Sequence, residues 1–239
     1  MDAFSRVKLL VGSESYNKLK DASVAVFGVG GVGGYVVEAL ARSGVGNITV
    51  FDNDVVVKTN INRQIIATVD VIGQDKVDAI KERVLSINPN AKVTCHKVFY
   101  LPENADEFDL TNFDYVVDAV DTVSAKIEII RRAKMAGVPV ISCMGTGGKI
   151  EPTLLRVSNI EKTSGCPLAR VMRRELKKRN ISNVKVVFSE EQASVCEGET
   201  DGAETSHSGR VVPPSMIFVP AVAGLLIAKE VVFDIINGK

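Results

Sequence analysis

Short apolar runs alternate with stretches of helical periodicity through the first 145 residues of the chain. Strands are predicted over residues 23–28, 47–52, 92–99, 114–120 and 138–144. Helices are predicted between them, from a glycine-rich turn to about Ser43, over 75–88 and over 124–137. Strand and helix in turn at this spacing predict an α/β fold with a doubly wound, mostly parallel, Rossmann-like sheet.

The pattern changes after residue 145, where the sequence predicts additional strands and a basic helix. "GTGGKIEPTLLRV" (145–157) predicts a glycine loop that runs into a hairpin-like pair of strands, and residues 164–180 predict a helix. The segment 189–215 is polar and rich in Gly, Ser and Glu, which is typical of a mobile loop, placed at about 189–212. From residue 216 the chain is apolar again, which predicts a buried strand followed by a packed helix.

The composition narrows the class of protein. Lysine plus arginine equals aspartate plus glutamate at 29 each, so any surface for nucleic acid has to be local. The four cysteines form no CxxC pair, which argues against a zinc knot or a thioredoxin-like redox pair. The N-terminus lacks the apolar core of a signal peptide, and the apolar stretch 216–228 is too short to span a bilayer. We expect a cytoplasmic protein with no membrane association.

A glycine-rich turn gives the first indication of chemistry. "GVGGVG" (28–33) follows a strand, opens a helix and matches GxGxxG through Gly28, Gly30 and Gly33, with Gly31 between them. Glycines in this context let backbone N–H groups and a helix N-terminus approach a phosphate. Asp52 ends the second strand, where an acid commonly holds ribose hydroxyls. These features alone suit NAD and ATP equally.

Polar side chains that follow two of the strands distinguish the two ligands. They are Asp54, Asn60, Asn62, Arg63, Gln64, Lys76, Asp118 and Asp121. In a doubly wound fold, ligands bind at the edge where strands end. Arg63 and Lys76 are suited to neutralise phosphate oxygens, and Asp121 is suited to hold Mg²⁺. The sequence therefore predicts a triphosphate site with these three as its catalytic residues, because hydride transfer to a nicotinamide involves no polyphosphate chemistry.

This combination resembles the ubiquitin-activating-enzyme superfamily, which includes the adenylating enzymes of sulfur-carrier proteins in thiamine and molybdopterin synthesis. The shared motifs correspond here to residues 28–33, Asp52 with Asp54, residues 60–64, Lys76 and Asp121. The resemblance implies that ATP activates a carboxylate as an acyl-adenylate with Mg²⁺ as cofactor, a monovalent cation being a further candidate. It also implies a homodimer in which an arginine near the N-terminus reaches the neighbour's ATP. Arg6 is the matching residue.

Within that superfamily, the chain most resembles one subgroup, the tRNA threonylcarbamoyladenosine dehydratases. The segments that carry this resemblance are "RSGVGNITVFDNDVVVKTNINRQ", "VVDAVDTVSAK" and "GTGGKIEPT". The resemblance implies that ATP activates the threonyl carboxylate of N6-threonylcarbamoyladenosine, which lies beside the anticodon of tRNA. The activated carboxyl then closes a ring onto the carbamoyl group of the same molecule, so proximity replaces an enzyme thiol. A sulfur-transfer protein is a further candidate partner.

The predicted basic helix supplies a candidate tRNA surface. Its cations are Arg170, Arg173, Arg174, Lys177 and Lys178, against Glu175 alone. Phosphate contacts by such side chains give an affinity that depends on salt and largely not on base sequence. Lys149 and Arg210 are further candidates for this surface. Cys196 lies among glutamates, which disfavour a thiolate, so we predict that it has no catalytic role.

We expect one domain over 1–239, of which residues 1–150 bind the nucleotide and residues 151–239 recognise the substrate. Two other functions remain open from the sequence: an adenylating enzyme for a ubiquitin-like sulfur carrier, and an NAD-dependent oxidoreductase. The missing zinc cysteines count against the first. The polar set after the second strand counts against the oxidoreductase. A non-enzymatic protein that keeps a nucleotide fold is a further alternative, which the retained phosphate-binding residues disfavour.

Overall fold

A seven-stranded sheet runs through residues 2–194 and 213–238, the part of the chain that this computed structural model describes. Its strands are β1 (Ser23–Phe27), β2 (Asn47–Phe51), β3 (Lys92–His96), β4 (Tyr115–Asp118), β5 (Val140–Cys143), β6 (Leu155–Asn159) and β7 (Lys185–Ser189). Their order across the sheet is β3–β2–β1–β4–β5–β7–β6, and each neighbouring pair is parallel except β6 with β7. The predicted doubly wound, mostly parallel sheet is confirmed.

Helices cover both faces of this sheet. They are α1 (Ser5–Val11), α2 (Ser13–Asp21), α3 (Gly33–Ser43), α4 (Lys76–Ile87), α5 (Val123–Ala136), α6 (Pro167–Lys178) and α7 (Phe218–Asn237). Apolar side chains of α3, α4 and α7 form one core layer, and those of α5 and α6 form the other. In β1, Val24 and Val26 belong to the first layer, while Ala25 and Phe27 belong to the second. Because successive side chains of a strand point to opposite faces, a strand covered on both faces is apolar throughout.

The strand register places the candidate site at one edge of the sheet. Phe27, the last residue of β1, is aligned with Phe51 of β2 on one side and with Asp118 of β4 on the other. Asp118 is in turn aligned with Ser142 of β5. The glycine turn after β1, the polar segment after β2 and the loop after β4 therefore begin next to one another.

The C-terminal half differs from the sequence prediction in its strand pairing. The predicted hairpin within residues 145–157 is wrong, since β6 pairs with β7 across the intervening α6. β7, which the prediction missed, lies between β5 and β6 and is buried from Val186 to Ser189. A short strand that joins a sheet through a distant partner has no local turn to signal it.

The prediction of a strand at the start of the C-terminal apolar segment is also wrong, because α7 begins at Phe218 and continues as one helix to Asn237. Pro220 is tolerated because it lies in the first turn, where its missing N–H has no intrahelical partner to lose. Gly224 lets α7 pack closely on α3, since a Cβ there would come 2.5 Å from the carbonyl oxygen of Val32. A helix buried on most sides lacks the one-sided pattern that identifies surface helices.

Polar contacts hold the end of α7 against the sheet. Tyr115 Oη in β4 donates to Asp234 Oδ2 at 2.8 Å, and Lys185 Nζ in β7 donates to the same oxygen at 2.5 Å. Lys185 Nζ also lies 3.1 Å from Glu230 Oε2. Burial, together with the hydrogen bond to Asp234, raises the pKa of Tyr115, so this hydroxyl stays protonated and acts as a donor.

The sequence prediction missed the N-terminal helices, and its polar segment lies mostly outside the described residues. The helices α1 and α2, which precede β1, were not predicted. Residues 195–212, with Cys196, Arg210 and most of the predicted mobile loop, lie outside the described residues. No helix within the described residues is both long and apolar enough to cross a membrane.

Candidate active site

The glycine turn between β1 and α3 is closely packed at two positions and open at a third. Gly28 has a φ of +84°, and a Cβ there would come 2.9 Å from the carbonyl oxygen of Ala119. A Cβ on Gly33 would overlap the carbonyl oxygen of Gly28. At Gly30, by contrast, the nearest atom would be Gln64 Nε2, 3.7 Å away. Packing requires the first two glycines, whereas Gly30 leaves room for a ligand beside the N-terminus of α3.

Asp52 fastens this turn to the end of β2. Its Oδ2 accepts the N–H of Val29 at 2.8 Å, and its Oδ1 accepts the N–H of Asp54 at 2.9 Å. Burial raises the pKa of the Asp52 carboxyl, an effect that the nearby Lys76 cation and these two hydrogen bonds only partly offset. A carboxylate oxygen has more than one acceptor site, so Asp52 can hold the turn and still accept a ribose hydroxyl.

Lys76, at the start of α4, is buried against the segment after β2. Its Nζ lies 2.7 Å from Asp54 Oδ2, and only 5% of the residue is exposed. The N–H of Lys76 also donates to the carbonyl oxygen of Asp54 at 3.0 Å. The predicted phosphate cation is therefore held in one position by a carboxylate, and Asp54 acts here through Lys76.

Asn60, Arg63 and Gln64 form a compact turn that faces the glycines. Asn60 is buried, and its Oδ1 accepts the N–H of Val57 at 3.3 Å while its carbonyl oxygen accepts the N–H groups of Arg63 and Gln64. Arg63 Cγ would lie 3.7 Å from a Cβ on Gly31, and its guanidinium donates to Thr59 O at 2.7 Å. Asn60 thus builds the turn, which presents Arg63 beside the glycines.

Gln64 carries an unpaired polar atom beside the open part of the glycine turn. The residue is buried, and within the described part of the chain its Oε1 has no hydrogen-bond partner. Its Nε2 is the atom that faces Gly30. Since an unpaired buried acceptor is costly, the amide of Gln64 is suited to receive a donor from a ligand. The residues of this edge therefore fit a nucleotide.

A buried ion pair fixes the loop after β4. Lys126 Nζ in α5 lies 2.9 Å from Asp118 Oδ2, and both side chains are fully buried. Lys126 Nζ also donates to the carbonyl oxygens of Val120, at 3.1 Å, and of Cys143, at 2.7 Å. Asp121 follows, exposed, with Thr122 Oγ1 at 3.3 Å from its Oδ1. The ion pair joins the ends of β4 and β5 to α5 and leaves the Asp121 carboxylate accessible.

Comparison with known proteins identifies the family at this point. The model of the ThiF family matches residues 4–238. The chain belongs to the ThiF family. The resemblance inferred from the sequence motifs is thereby confirmed.

Individual members of the family are similar over nearly the whole chain. The chain is 41% identical to the tRNA threonylcarbamoyladenosine dehydratase of Bacillus subtilis, over 98% of this chain and 94% of that protein. Its fold matches the crystal structure of the Escherichia coli enzyme of that name in complex with AMP, with a TM-score of 0.89, 32% identity, and coverage of 99% of this chain and 94% of the other. A crystal structure of the E. coli enzyme with ATP gives a TM-score of 0.87 at 31% identity and the same coverage.

In this ThiF-family chain, the predicted basic helix is α6, and four of its five predicted cations are exposed. They are Arg170, Arg174, Lys177 and Lys178. Arg173 is different, because its guanidinium donates to Thr163 O at 2.6 Å and to the Thr163 hydroxyl. Arg173 therefore anchors α6 to the preceding turn, and its place on the tRNA surface stays a prediction.

Glu175 balances part of the α6 charge. Its carboxylate lies 2.9 Å from Lys178 Nζ, 3.0 Å from an Arg179 guanidinium nitrogen and 3.3 Å from Arg174 Nε. Hydrogen bonds from these cations, that of Lys178 first, lower the pKa of Glu175 to about 2. Within the described residues, Arg170 and Lys177 pair with no carboxylate.

Two other residues that the sequence predicted to be functional, Arg6 and Lys149, lie away from the glycine turn and the segment after β2. Arg6 is exposed on α1, which packs on α2, the helix that leads into the opposite, amino end of β1. Lys149 is buried, with 3% of the residue exposed, so its predicted place on a tRNA surface is wrong. Arg210 lies outside the described residues.

The described cysteines lack the features of a nucleophile. Cys143 and Cys166 are buried, and Cys95 is half-buried. Burial raises the pKa of Cys143 to about 12 and also raises that of Cys95, so both thiols stay protonated at neutral pH. Cys196, predicted to have no catalytic role, lies outside the described residues.

Sequence reasoning missed Lys126 as part of the site. Its signal is a lysine within a mostly apolar helical run, "AKIEII", which follows a strand that ends in aspartate. A lysine at such a position is buried only if a carboxylate receives it. Asp118 is that carboxylate, and its role is to pair with Lys126.

Proposed function

We propose that this chain is a tRNA threonylcarbamoyladenosine dehydratase, which uses ATP to activate the threonyl carboxylate of N6-threonylcarbamoyladenosine in tRNA. The observation that carries the proposal is the open position at Gly30, which faces Gln64, whose Oε1 has no partner among the described residues, while Arg63 packs beside the next glycine, Gly31. The names of the relatives, and the ATP and AMP complexes of the E. coli enzyme, point to the same activity.

The reaction has two steps. A carboxylate oxygen of the substrate attacks the α-phosphorus of ATP, the bond from that phosphorus to the bridging oxygen breaks, and pyrophosphate leaves with the electron pair. An atom of the carbamoyl group then attacks the acyl carbon, and AMP leaves with the former carboxylate oxygen. The ring closes as the attacking group loses its proton, so the nucleoside loses the elements of one water.

Arg63 and Lys76 are the proposed cations of the first step. Arg63 lies on the segment between β2 and α4 and packs beside Gly31, and Lys76 is the first residue of α4. Asp54 holds Lys76 in place, which gives a fixed charge that needs little reorganisation when negative charge moves onto pyrophosphate. An enzyme thiol is unnecessary because the attacking group belongs to the same substrate molecule.

Asp121 is the proposed Mg²⁺ ligand. In phosphate sites, Mg²⁺ is usually held by one or two carboxylates together with substrate oxygens. The exposed Asp121 carboxylate at the N-terminal end of α5 suits this arrangement. Among residues 2–194 and 213–238, no three His, Cys, Asp or Glu side chains are grouped to hold a metal ion by themselves. When bound, the ion would neutralise charge on the triphosphate.

The exposed cations of α6 are the proposed contacts to tRNA. A groove of about 410 Å³ lies between α5 and α6, and Val123, Ser124, Glu128, Arg174 and Arg179 are among its lining residues. Val123 and Ser124 come directly after the loop that carries Asp121. A tRNA bound along α6 would therefore lie next to the site of adenylation.

A homodimer in which Arg6 reaches the neighbouring active site is also proposed. On α1, Leu9 and Leu10 are 86% and 83% exposed, which places two apolar side chains close to Arg6. Large apolar side chains grouped on an exposed helix favour a protein interface. Sedimentation of the wild type and of Leu9→Glu/Leu10→Glu would test it; a wild-type monomer at micromolar concentration would reject the dimer.

The experiment that tests the function follows the modified nucleoside. The purified chain is incubated with ATP, Mg²⁺ and tRNA that contains N6-threonylcarbamoyladenosine, and the tRNA is digested for mass spectrometry. We expect a nucleoside lighter by one water, with one AMP formed for each nucleoside converted, and we expect none with Arg63→Ala. An unchanged nucleoside in the presence of ATP would reject the proposal.

A further inference from the structure

Lys149 is a buried cation for which the described residues provide no anion. It lies in the glycine loop after β5, and its Nζ donates to the carbonyl oxygen of Ser189, the last residue of β7, at 3.2 Å. An ammonium group has three donors, so two remain beyond this bond. Within residues 2–194 and 213–238, Lys149 forms no ion pair. A buried charge without a counter-ion is costly, and ligand binding is a common reason for its presence.

The acidic groups near Lys149 are already engaged. The Glu191 carboxylate accepts the N–H groups of Ile150 and Glu151 at 2.9 and 3.0 Å. Glu151 accepts the N–H and the hydroxyl of Thr153 at 2.9 and 2.6 Å. These hydrogen bonds direct both carboxylates to the backbone of the loop.

The groups below the loop do not supply the missing negative charge either. Asp118 is paired with Lys126 and also accepts the Ser142 hydroxyl at 2.5 Å. The Cys143 thiol, whose pKa burial raises to about 12, is neutral at neutral pH. Among the described residues, Lys149 is therefore a cation without a counter-ion.

The backbone around Lys149 is held in place. Gly148 has a φ of +69°, its N–H donates to Pro214 O at 2.7 Å, and its carbonyl oxygen accepts the N–H of Ser194 at 2.7 Å. Positive φ favours glycine, so the position before Lys149 requires the residue that it has. The cation is thus fixed before any ligand binds, which lowers the entropy cost of binding.

The order of the strands indicates which ligand group would meet Lys149. The turn after β1 and the segment after β2 form the nucleotide edge, with Asp121 after β4. Lys149 follows β5, and its Nζ reaches the end of β7, on the far side of β4 from β1. Adjacent strands are about 4.8 Å apart, so β7 lies roughly 14 Å from β1, far enough to leave space for a second substrate beside the nucleotide.

We propose that Lys149 receives the carboxylate of the acyl substrate and orients it toward the α-phosphorus of ATP. This assignment rests on the proposed function and names a substrate-binding residue for it. The carboxylate would supply the anion that the buried ammonium lacks. Lys149 would then select substrates that carry a carboxylate over the same tRNA with unmodified adenosine.

The test compares Lys149→Met with Lys185→Met, because methionine keeps the length of the side chain and removes the charge. Lys185 pairs with Asp234 and Glu230, so its replacement leaves the buried Asp234 carboxylate without its cation and should lower Tm. Lys149→Met should leave Tm unchanged or raised, since it removes a buried charge that no described residue compensates. It should lower kcat/KM for the modified tRNA by about 100-fold or more, as for a desolvated charge pair that loses one partner, while ATP binding is retained. Lys149→Arg should recover part of the activity.

Each outcome distinguishes the assignment from a structural role. Lys149→Met that matches the wild type in turnover would overturn the assignment. A fall in Tm as large as that of Lys185→Met, with activity lost in proportion, would show that Lys149 only supports the fold. Loss of ATP binding would place it at the nucleotide instead. If the wild type itself fails to convert the modified tRNA, the proposed function is rejected, and the substrate assigned to Lys149 falls with it.

Discussion

Lys76 Nζ lies 2.7 Å from Asp54 Oδ2, so the cation proposed to neutralise the triphosphate is held by a carboxylate from the end of β2. The lysine side chain is nearly fully buried, whereas 40% of the Asp54 side chain is exposed. The pair is therefore open to solvent on the aspartate side. This arrangement fixes the position of the ammonium group, and its exposure on the aspartate side makes the pair a modest contributor to stability.

Replacement of Lys76 by methionine should separate the two roles of this pair. We expect the rate of adenylation to fall by about 100-fold, because one preorganised charge at the leaving pyrophosphate is lost. The midpoint of urea unfolding should change much less than the rate, since 40% of the Asp54 side chain is exposed. Lys58→Met is the matched control, because Lys58 is exposed on the same segment. Full activity of Lys76→Met would remove Lys76 from the catalytic residues.

Two glycines of the turn should respond differently to alanine. Gly33→Ala places a methyl group on the carbonyl oxygen of Gly28, so we expect a loss of about 2–3 kcal/mol in the free energy of unfolding, as for other overpacked sites. Gly30→Ala meets no protein atom closer than 3.7 Å and should leave unfolding unchanged while it weakens ATP binding. Denaturation and isothermal titration calorimetry of both variants measure this. Equal ATP affinity of Gly30→Ala and the wild type would mean that the phosphates lie elsewhere.

The cations of α6 should act on tRNA binding through charge. In Arg170→Glu/Lys177→Glu, both altered residues are exposed and neither pairs with a carboxylate in the described part of the chain. We expect weaker tRNA binding and a slope of log K against log[salt] that is smaller by roughly 2, about one for each phosphate that is no longer neutralised. Lys18→Glu/Lys20→Glu on α2 is the control with the same change in charge. An unchanged slope would exclude α6 from the interface.

The variant Arg173→Ala tests whether Arg173 supports the fold or contacts tRNA. Because its guanidinium donates to Thr163, Arg173→Ala should lower the free energy of unfolding by about 1–2 kcal/mol, as for a lost hydrogen bond to a charged group. Its effect on the salt dependence of tRNA binding should be small. A change in the salt slope as large as that of the Arg170/Lys177 variant, without loss of stability, would return Arg173 to the tRNA surface.

The lowered pKa of Glu38 implies that the free energy of unfolding depends on pH. Burial alone would raise its pKa, yet hydrogen bonds from Arg83 and Arg42 outweigh this and hold the pKa below the ordinary value of 4.5. The folded state therefore gains stability from Glu38 above that value, and the gain is lost as the pH falls through the folded pKa. We expect Glu38→Gln to cost about 2 kcal/mol in the free energy of unfolding at neutral pH and far less at an acidic pH below the folded-state pKa.

The control for this prediction is Glu14→Gln, since Glu14 is exposed on α2. Urea unfolding of the wild type and both variants at the two pH values gives the comparison. A difference between the wild type and Glu38→Gln that is the same at both pH values would show that Glu38 does not contribute through its charge.

The parts of the fold that were predicted correctly have local signals. The alternation of strand and helix through Cys143 follows from apolar runs and from the glycines that end α3 and α5, where φ is +88° at Gly44 and +70° at Gly137. β7 and the first turns of α7 had no such signal. The place of β7 depends on pairing with β5 and β6, which are distant in the sequence, and the burial of α7 on several sides removes its one-sided pattern.

The same distinction applies to the site. Residue type predicted Arg63, Lys76 and Asp121, because their motifs are contiguous and follow strand ends. Tertiary contacts could not be predicted: Lys149 and Arg173 carry the same charge as their exposed neighbours, but Lys149 is buried against Ser189 and Arg173 donates to Thr163. The charge of a side chain is local information, whereas its exposure depends on the whole fold.

The exchange of labelled pyrophosphate into ATP tests the central claim, carboxylate adenylation, most directly. The purified chain is assayed with tRNA that contains N6-threonylcarbamoyladenosine, with the same tRNA that lacks the modification, and with a ubiquitin-like carrier that ends in Gly-Gly. We predict exchange that depends on the modified tRNA and that is lost in Lys76→Met. Exchange with the Gly-Gly carrier and none with the modified tRNA would contradict this account and identify the chain as an adenylating enzyme for a sulfur carrier.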